Sequence, residues 1–363
     1  MGLSIGIVGL PNVGKSTLFN ALSRAKAQAS NYPFCTIDPN IGVVEVPDPR
    51  IDALVKLFSS KKIVPAIIEF YDIAGLVKGA HKGEGLGNKF LAHIREVDAI
   101  AHVVRCFTAE DVVHVEGAVD PRRDIEIIEA ELILADLATI EKRFDSIRKA
   151  LKSGDKDILR TLHLLEKIKE LLDKGQPART LASSMNSDDL KLLREFSLIT
   201  LKPVLYVANV DEDGSPEQIK EIEKIAREQG ARVVTICSKL EAEIAELPID
   251  EAKSLLEGMG VKEPALSQLI RSSYELLNLI TFFTAGEKET HAWTIQKGTK
   301  GPQAAGKIHS DMERGFIAAE VIRFSEMIDC GSYPKAKEKG LLRTEGKEYV
   351  VEDGDIVVIR FNV

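Results

Sequence analysis

The sequence contains only four cysteines, and they lie far apart in the chain, at Cys35, Cys106, Cys237 and Cys330. No two of them have the short spacing that is typical of a zinc site. Four isolated cysteines also do not form the dense framework of a small domain stabilised by disulfides. This cysteine usage favours a reducing compartment, and we expect a cytoplasmic protein.

Long apolar runs are absent as well, since no segment approaches the roughly 18 residues needed to cross a bilayer. We therefore expect no membrane partner, and no signal peptide because an apolar strand-like segment begins at once. Positive charge is in deficit, with 48 lysines and arginines against 56 aspartates and glutamates and a net charge of −8. This balance argues against nucleic acid binding over the whole surface, and we expect no DNA partner, but a local basic patch stays possible.

A phosphate-binding loop is the most informative stretch that the sequence does contain. The run Gly9-Leu10-Pro11-Asn12-Val13-Gly14-Lys15-Ser16 matches the pattern G-x-x-x-x-G-K-[ST]. An apolar segment, Leu3 to Val8, predicts a buried strand before it, and a helical pattern follows it. In this context Lys15 supplies a charge for the β- and γ-phosphates of a nucleotide, and Ser16 offers a hydroxyl to Mg²⁺.

Two downstream segments hold residues that complete such a site. Thr36 lies where a loop threonine joins the Mg²⁺ shell and senses the γ-phosphate. The apolar segment Ile63 to Tyr71 predicts one strand, and it leads into Asp72-Ile73-Ala74-Gly75, a D-x-x-G arrangement. We expect Asp72 to hold Mg²⁺ through water and the Gly75 amide to bond the γ-phosphate.

The residue after this arrangement is a leucine, where many GTPases carry a glutamine that orients the attacking water. Leu76 cannot orient water, so hydrolysis needs another polar group, a monovalent cation or help from a partner. Two histidines are candidates: His81 lies in a glycine-rich segment, and His114 follows a predicted strand at 99–104. For each of them the alternative is an exposed histidine without a catalytic role.

Between Pro121 and Pro177 apolar residues recur at helical spacing on either side of the break at 152–155. This pattern predicts two long antiparallel helices joined by a tight turn. The helical hairpin interrupts the nucleotide domain, so it is predicted to be an insertion. It is either a packing element or an arm that serves a partner.

The segment Asn209-Val210-Asp211-Glu212 stands where guanine-specific proteins have Asn-Lys-x-Asp. The carboxylate of Glu212 reaches one methylene further than an aspartate, and valine replaces the lysine, so guanine recognition should weaken. Adenine could instead bond to Asn209 and to the backbone near Val210. The segment therefore favours ATP over GTP. Ser238 follows a predicted strand at 232–237, where a loop normally supports the base.

The C-terminal part predicts short strands and one helix. The strands are expected at 281–284, 291–295, 349–351 and 355–361, and the helix from Gln303 to Phe316. This order suggests a compact mixed domain of the ubiquitin-like kind. Its lysines at positions 288, 297, 300 and 307 suit RNA phosphate, or they form an ordinary solvated face.

Residues 6–22 resemble the Obg-related branch of translation-factor-class GTPases. Residues 34–40, 72–80, 83–88, 209–212 and 304–309 resemble, within it, the YchF group of Obg-like ATPases. This resemblance implies an α/β fold with a P-loop NTPase G-domain at 1–120 and 200–277. It further implies an inserted α-helical coiled-coil hairpin at 121–199 and a C-terminal TGS domain of β-grasp fold at 278–363.

The resemblance also implies Mg²⁺-dependent ATP hydrolysis that is slow without a partner, and association with the ribosome. We favour the large subunit as the contact and a monomeric protein. The residues that it assigns to the phosphates are Asn12, Val13, Gly14, Lys15, Ser16 and Thr17. It assigns Ser16 and Thr36 to Mg²⁺ and makes His114 a candidate for orienting water. Asn12 matches an asparagine that can help to hold K⁺. A GTPase, or a nucleotide-gated binding module with negligible turnover, is the alternative.

Overall fold

The computed structural model describes residues 4–25, 40–73, 86–108, 118–150, 156–211, 214–261 and 263–362. Some of the predicted functional residues lie outside these ranges: Thr36, Gly75, Leu76, His81, His114 and Glu212. The chain forms two compact units, one of Met1–Val43 with Glu69–Ser273 and the other of Val44–Ile68 with Tyr274–Val363. We call them the first unit and the second unit.

Twelve strands lie within the described ranges. They are β1 (Ser4–Val8), β2 (Ile41–Glu45), β3 (Lys62–Val64), β4 (Ile67–Asp72), β5 (Ala99–Cys106), β6 (Val204–Val210), β7 (Arg232–Ile236), β8 (Leu279–Ala285), β9 (Glu289–Gln296), β10 (Phe316–Arg323), β11 (Arg343–Glu345) and β12 (Asp355–Phe361). They form two six-stranded sheets, in the orders β2-β4-β1-β5-β6-β7 and β11-β10-β12-β8-β9-β3.

The same ranges contain fourteen α-helices. They are α1 (Lys15–Ala25), α2 (Pro49–Phe58), α3 (Leu86–Glu96), α4 (Pro121–Ala150), α5 (Lys156–Asp173), α6 (Ser187–Arg194), α7 (Pro216–Glu228), α8 (Ser238–Ile244), α9 (Ile249–Gly258), α10 (Ala265–Leu276), α11 (Gly301–Ile308), α12 (Ser310–Arg314), α13 (Phe324–Cys330) and α14 (Tyr333–Glu338). Two 3₁₀ segments, Ala178–Ser184 and Ile199–Leu201, accompany them.

The first sheet is built around β1, which pairs in parallel with β4 on one side and β5 on the other. β6 adds in parallel to β5, and β7 adds in parallel to β6. All residues of β1 and β5 are buried, as expected for continuous apolar strands that are covered on both faces. The carboxyl ends of these parallel strands meet at one edge, where ligands bind in open α/β sheets.

The predicted helical hairpin is present as α4 and α5. It lies in sequence between β5 and β6, which are hydrogen-bonded neighbours, so it is an insertion in the first unit. Apolar side chains from both helices form its core, among them Ile140, Phe144, Leu165 and Ile168. The return to the sheet is fixed by the buried carboxylate of Asp136 on α4, which accepts hydrogen bonds from residues of the second 3₁₀ segment.

The second sheet is mixed. β8 and β9 form an antiparallel hairpin, β12 lies parallel to β8, and β10 is antiparallel to β12. Residues of α11, Ala304 and Ala305, pack into the core on one face with Phe282, Ile295 and Val357. This hairpin–helix–strand arrangement is a β-grasp fold, as predicted.

One predicted strand, at 63–71, is in fact two strands in different sheets. Lys62–Val64 forms β3, which pairs in parallel with β9 at the edge of the second sheet, whereas Ile67–Asp72 forms β4 in the first sheet. Pro65 separates them, and proline interrupts a strand because it has no N–H for a ladder. The bounds expected for the domains placed residues 44–68 with the nucleotide domain, but their contacts group them with the C-terminal part.

Two further expectations for the C-terminal part were wrong. The helix predicted from Gln303 to Phe316 is two short helices, α11 and α12, which are separated at His309 by extended backbone with φ −161° and ψ 142°. Phe316 already belongs to β10. Instead of a strand at 349–351, Val350 makes a single bridge to Lys300. The hydrogen bonds of the ring and backbone of His309 stop one helix and start the next, a local effect that apolar periodicity does not reveal.

The cysteines in the described ranges, Cys106, Cys237 and Cys330, are free. Among the helices of these ranges, none is both long enough and apolar enough to span a membrane.

Candidate nucleotide-binding site

The loop between β1 and α1 packs closely against its neighbours. A Cβ atom on Gly9 would lie 2.5 Å from the carbonyl oxygen of Val103. A Cβ atom on Gly14, whose φ is +95°, would lie 2.2 Å from Nδ2 of Asn209. Asn12 between them adopts a left-handed φ of 63°. Glycine is therefore required at both ends of the loop, and the backbone can approach an anion at the N-terminus of α1.

Lys15 is buried at the first position of α1, with only 8% of its surface exposed. Its ammonium group donates hydrogen bonds to the carbonyl oxygens of Gly9 (2.9 Å) and Leu10 (2.7 Å). Burial lowers the pKa of Lys15 to about 8, although the charge of Asp72 acts in the opposite direction. An ammonium group has three N–H donors, so one is left for a phosphate oxygen.

Asp72 ends β4 and is in register with Ile7 of β1, next to the loop. Its carboxyl group is half-buried, and desolvation raises its pKa while Lys15 lowers it. Ser16 is exposed in the first turn of α1. In the described ranges, no three His, Cys, Asp or Glu side chains converge on a metal site. A hydroxyl and a carboxylate beside a phosphate loop suit Mg²⁺, which keeps several waters and binds substrate phosphates.

Asn209, near the end of β6, links the phosphate loop to the start of α8. Its Nδ2 donates to the carbonyl oxygen of Val13 (2.8 Å), and its Oδ1 accepts from the N–H of Ser238 (3.0 Å). Only 4% of its surface is exposed. The sequence suggested a direct adenine contact for this side chain, whereas its amide has protein partners at both ends. Val210 follows it and is partly exposed.

Ser238 begins α8 beside the loop and is 2% exposed. Its hydroxyl is buried and has no hydrogen-bond partner within the described ranges. The hydroxyl oxygen lies 4.0 Å from the position that a Cβ atom on Gly14 would occupy. An unpaired buried hydroxyl costs about 1–3 kcal/mol. A polar ligand between the phosphate loop and α8 would satisfy it, so the residues present fit a nucleotide.

Arg105 is a neighbour of the loop that the sequence patterns did not point out. It is 2% exposed near the end of β5, and its Nε donates to the carbonyl oxygen of Phe107 at 3.0 Å. Its guanidinium lies 4.4 Å from the centre of the Phe107 ring. A long contact of 3.5 Å joins its Nη1 to the carbonyl oxygen of Asn12. Arg105 thus supports the left-handed turn of the loop, and an arginine within an apolar strand is the signal that could have revealed it.

A buried polar network joins the helical insertion to the strand that leads to Asn209. Glu129 of α4 pairs with Arg179 and accepts a hydrogen bond from the Tyr206 hydroxyl of β6 at 2.9 Å. Gln229, just after α7, bonds to all three side chains. The sequence gave no indication of this network, because its members are far apart in the chain. It fixes the base of the insertion to the sheet.

Two family descriptions match the chain. Residues 4–239 match the family described as 50S ribosome-binding GTPase. Residues 279–362 match the C-terminal family of YchF-type GTPases, which is described as a protein of unknown function (DUF933). The first match covers the phosphate loop and Asn209, and the second covers the β-grasp fold.

Similar proteins extend over the whole chain. It is 53% identical to a Bacillus subtilis protein named ribosome-binding ATPase YchF, and the match covers 100% of both chains. A protein of the same name from Escherichia coli O157:H7 is 50% identical, again over 100% of both chains.

Solved structures agree with the fold. A Schizosaccharomyces pombe structure titled YchF GTPase matches with a TM-score of 0.89 and 37% identity, over 99% of this chain and 98% of that one. A GTP-binding protein from Pyrococcus horikoshii matches with a TM-score of 0.63 at 22% identity, over 99% and 100%, which shows the fold alone. From its full-length similarity and its site geometry, the chain belongs to the YchF family.

Proposed function

We propose that this protein is a Mg²⁺-dependent ATPase that binds the ribosome, and that its affinity for the ribosome changes with the bound nucleotide. The observation that carries the proposal is the phosphate loop, with its buried lysine and its two glycines in close contact with the sheet. Relatives at 50–53% identity are named ribosome-binding ATPases. Since nucleotide hydrolysis depends mostly on positioning and charge, a rigid loop of this kind is the part that the reaction needs.

Around the phosphates, the residues from Asn12 to Thr17 would bind through their backbone N–H groups, and Lys15 would hold the β- and γ-phosphate oxygens. Ser16, Thr36 and, through water, Asp72 would hold the metal. Mg²⁺ neutralises charge that develops on the phosphates. The Gly75 amide would bond the γ-phosphate, so that hydrolysis releases the segment after Asp72.

Water activation depends on residues outside the described ranges. The position of Leu76 rules out the usual glutamine, and His114 is our candidate for orienting water. Turnover of a His114→Ala variant in the presence of ribosomes tests this role, and unchanged turnover would remove the assignment. Asn12 is our candidate for holding K⁺, and replacing K⁺ by Na⁺ in the same assay tests it.

For the base, we infer that ATP is preferred over GTP. Asn209 is held by protein partners, so discrimination rests on the backbone near Val210, on Ser238 and on Glu212. The names of similar proteins differ on this point, since the bacterial relatives are named ATPases and the fission yeast structure is described as that of a YchF GTPase. GTP hydrolysis is therefore the second candidate, and a nucleotide-gated module without turnover is the third.

The test is a pair of equilibrium titrations of the purified protein with ADP and with GDP in the presence of Mg²⁺. We expect ADP to bind at least about tenfold more tightly, which corresponds to about 1.4 kcal/mol. Tighter binding of GDP would mean that GTP, and not ATP, is the preferred substrate. A Lys15→Ala variant should lose affinity for both nucleotides.

On the ribosome, we propose the large subunit as the binding partner, a cytoplasmic location and a monomeric protein. The C-terminal β-grasp unit would act as a TGS domain, with its lysines at positions 288, 297, 300 and 307 near RNA. Pelleting with separated ribosomal subunits, with ADP or a non-hydrolysable ATP analogue, tests the partner and its nucleotide dependence. Equal binding in both nucleotide states would contradict the proposed switch. ATP turnover measured without ribosomes is the reference for turnover in their presence.

A further inference from the structure

A segment around α9 exposes more apolar surface than its surroundings. The described ranges contain twelve large apolar side chains that are exposed, and four of them lie in the fifteen residues 247–261. They are Leu247, Leu255, Met259 and Val261, with 36–48% of their surface exposed. Exposed apolar groups that cluster in this way mark interaction sites, whereas single ones do not.

Three of these residues lie within seven positions of one another at the end of α9. Leu255 and Met259 are one helical turn apart, and the N–H of Met259 donates to the Leu255 carbonyl oxygen at 3.0 Å. Gly260, with φ +70°, ends the helix, and the N–H of Val261 then bonds back to the carbonyl oxygen of Leu256 at 2.9 Å. This helix end brings the residue after the glycine back against the last turn.

Acidic residues are in excess in and around this segment. Residues 239–262 contain six acidic and three basic residues, a net charge of −3. Two of the exposed carboxylates have partners, since Glu246 pairs with Arg24 and Glu257 with Lys253. Three others, Glu243, Asp250 and Glu251, are exposed and form no ion pair among the described residues. We define the acidic apolar surface as Asp250, Glu251, Leu255, Met259 and Val261.

The negative charge of this surface distinguishes between the partners that could bind to it. Phosphates of RNA and the headgroups of anionic lipids would be repelled by the carboxylates. A second copy of the chain would bring an equal negative charge to the contact, which is also unfavourable. A protein surface rich in lysine and arginine is the partner whose potential is complementary.

We propose that the acidic apolar surface docks a basic protein of the ribosome, and not ribosomal RNA, with Leu255, Met259 and Val261 seated in an apolar pocket of that protein. This inference rests on the proposed binding to the ribosome. Apolar anchors at the centre of a contact carry most of the binding energy, and complementary charges around them set the choice of partner and the association rate. The surface belongs entirely to the first unit.

Charge reversal gives a test whose sign distinguishes the partners. The double variant Asp250→Lys/Glu251→Lys should bind purified ribosomes at least about tenfold more weakly in a pelleting titration, because two attractive contacts become repulsive. Tighter binding would mean that RNA faces this surface, and unchanged binding would mean that nothing docks there. Either result would overturn the inference.

The matched control is Glu223→Lys/Glu228→Lys on α7, two exposed residues whose replacement changes the net charge by the same amount. It should bind ribosomes like the unchanged protein. A second variant, Leu255→Ser/Met259→Ser, should also lose at least about tenfold in affinity, while Ile328→Ser, which alters an equally exposed side chain elsewhere, should not. ADP affinity checks that each variant is folded.

A photo-crosslinking side chain at position 254 identifies what is touched. Ser254 is exposed on α9 between the charged and apolar members of the surface. We expect a crosslink to a basic ribosomal protein, and a crosslink to RNA alone would overturn the inference. Failure of the unchanged protein to pellet with ribosomes would instead overturn the proposed function itself, and this inference with it.

Discussion

The two sheets of this protein differ in which parts of the chain supply their strands. In the first sheet, β1, β4, β5, β6 and β7 are parallel and bring their loops to one edge, where Lys15, Asp72 and Asn209 lie. In the second sheet, the edge strand β3 and the covering helix α2 come from residues 44–68, more than 200 residues before the rest. Sequence motifs reveal the first arrangement, because the site consists of short local patterns, whereas the second depends on contacts between distant segments.

The contact that joins the distant segments of the second unit is centred on Arg50 of α2. Its guanidinium pairs with Asp48 and Asp353, both at 2.7 Å, and lies 5.2 Å from the ring centre of Phe283. Ser60 adds a hydrogen bond to the carbonyl oxygen of Gly286. The predicted site residues of the first unit come from short motifs, whereas the second unit is completed by a segment more than 200 residues away in the sequence.

This difference can be tested with a separate signal for each unit. The sequence has a single tryptophan, Trp293, on β9 of the second unit. Its fluorescence during denaturation reports on the second unit, and ADP binding reports on the first. A substitution that affects only one unit should change the signal of that unit and leave the signal of the other unit unchanged.

The largest effect is expected from Glu129→Leu, which leaves the buried Arg179 without its anionic partner. Breaking a buried pair on one side costs about 3–5 kcal/mol. The free energy of unfolding of the first unit, followed by the loss of ADP binding in urea, should fall by this amount. Glu170→Leu on the exposed surface of α5 is the control, and a similar loss there would contradict the interpretation.

Gly14→Ala should weaken ADP binding about 100-fold, which corresponds to about 2.7 kcal/mol. The added Cβ would lie 2.2 Å from Nδ2 of Asn209, so the Asn209 side chain, which links the phosphate loop to α8, must move. Gly175→Ala is the matched control, since Gly175 also has a positive φ, +74°, but no atom within 4 Å of the new Cβ. In isothermal titration, Gly175→Ala should keep the ADP affinity of the unchanged protein, and an equally unaffected Gly14→Ala variant would contradict the prediction.

Arg50→Ala should lower the free energy of unfolding of the second unit by about 2 kcal/mol, because it removes two charged hydrogen-bonded contacts. The tryptophan transition should shift to lower urea, and ADP affinity should stay the same. Lys62→Ala removes the exposed pair with Glu289 and should cost about 0–1 kcal/mol. An equal shift for both variants would show that Arg50 has no special role.

The smallest effect is a pH dependence. Folding lowers the pKa of Lys15 from 10.5 to about 8, so its burial is unfavourable for stability below about pH 8 and is relieved as the pH rises towards 10.5. Phosphate needs the charged form, so ADP binding should weaken about eightfold between about pH 7.5 and pH 9. Lys15→Arg keeps its charge over this range, and its ADP affinity should change little. A similar slope in both proteins would assign the titration to another group.

Much of the architecture followed from the sequence. The fold class, the inserted hairpin and the β-grasp unit were predicted and are confirmed, because apolar periodicity and the phosphate-loop pattern depend on neighbours in the chain. The single strand at 63–71 and the long helix at 303–316 were wrong. Pro65 interrupts the strand because it has no N–H for a ladder. His309 ends one helix and starts the next through the hydrogen bonds of its ring and backbone.

The sequence by itself determined the phosphate loop, the D-x-x-G carboxylate and the departure from a guanine-reading motif, since each is a short run whose residue types carry the chemistry. Only the tertiary structure decided that Asn209 links the phosphate loop to α8, that Arg105 supports the turn at Asn12, and that residues 44–68 complete the second sheet. These roles depend on side chains that meet across separations of about 30 to 300 positions. Such contacts arise from the packing of whole elements, so no local pattern encodes them.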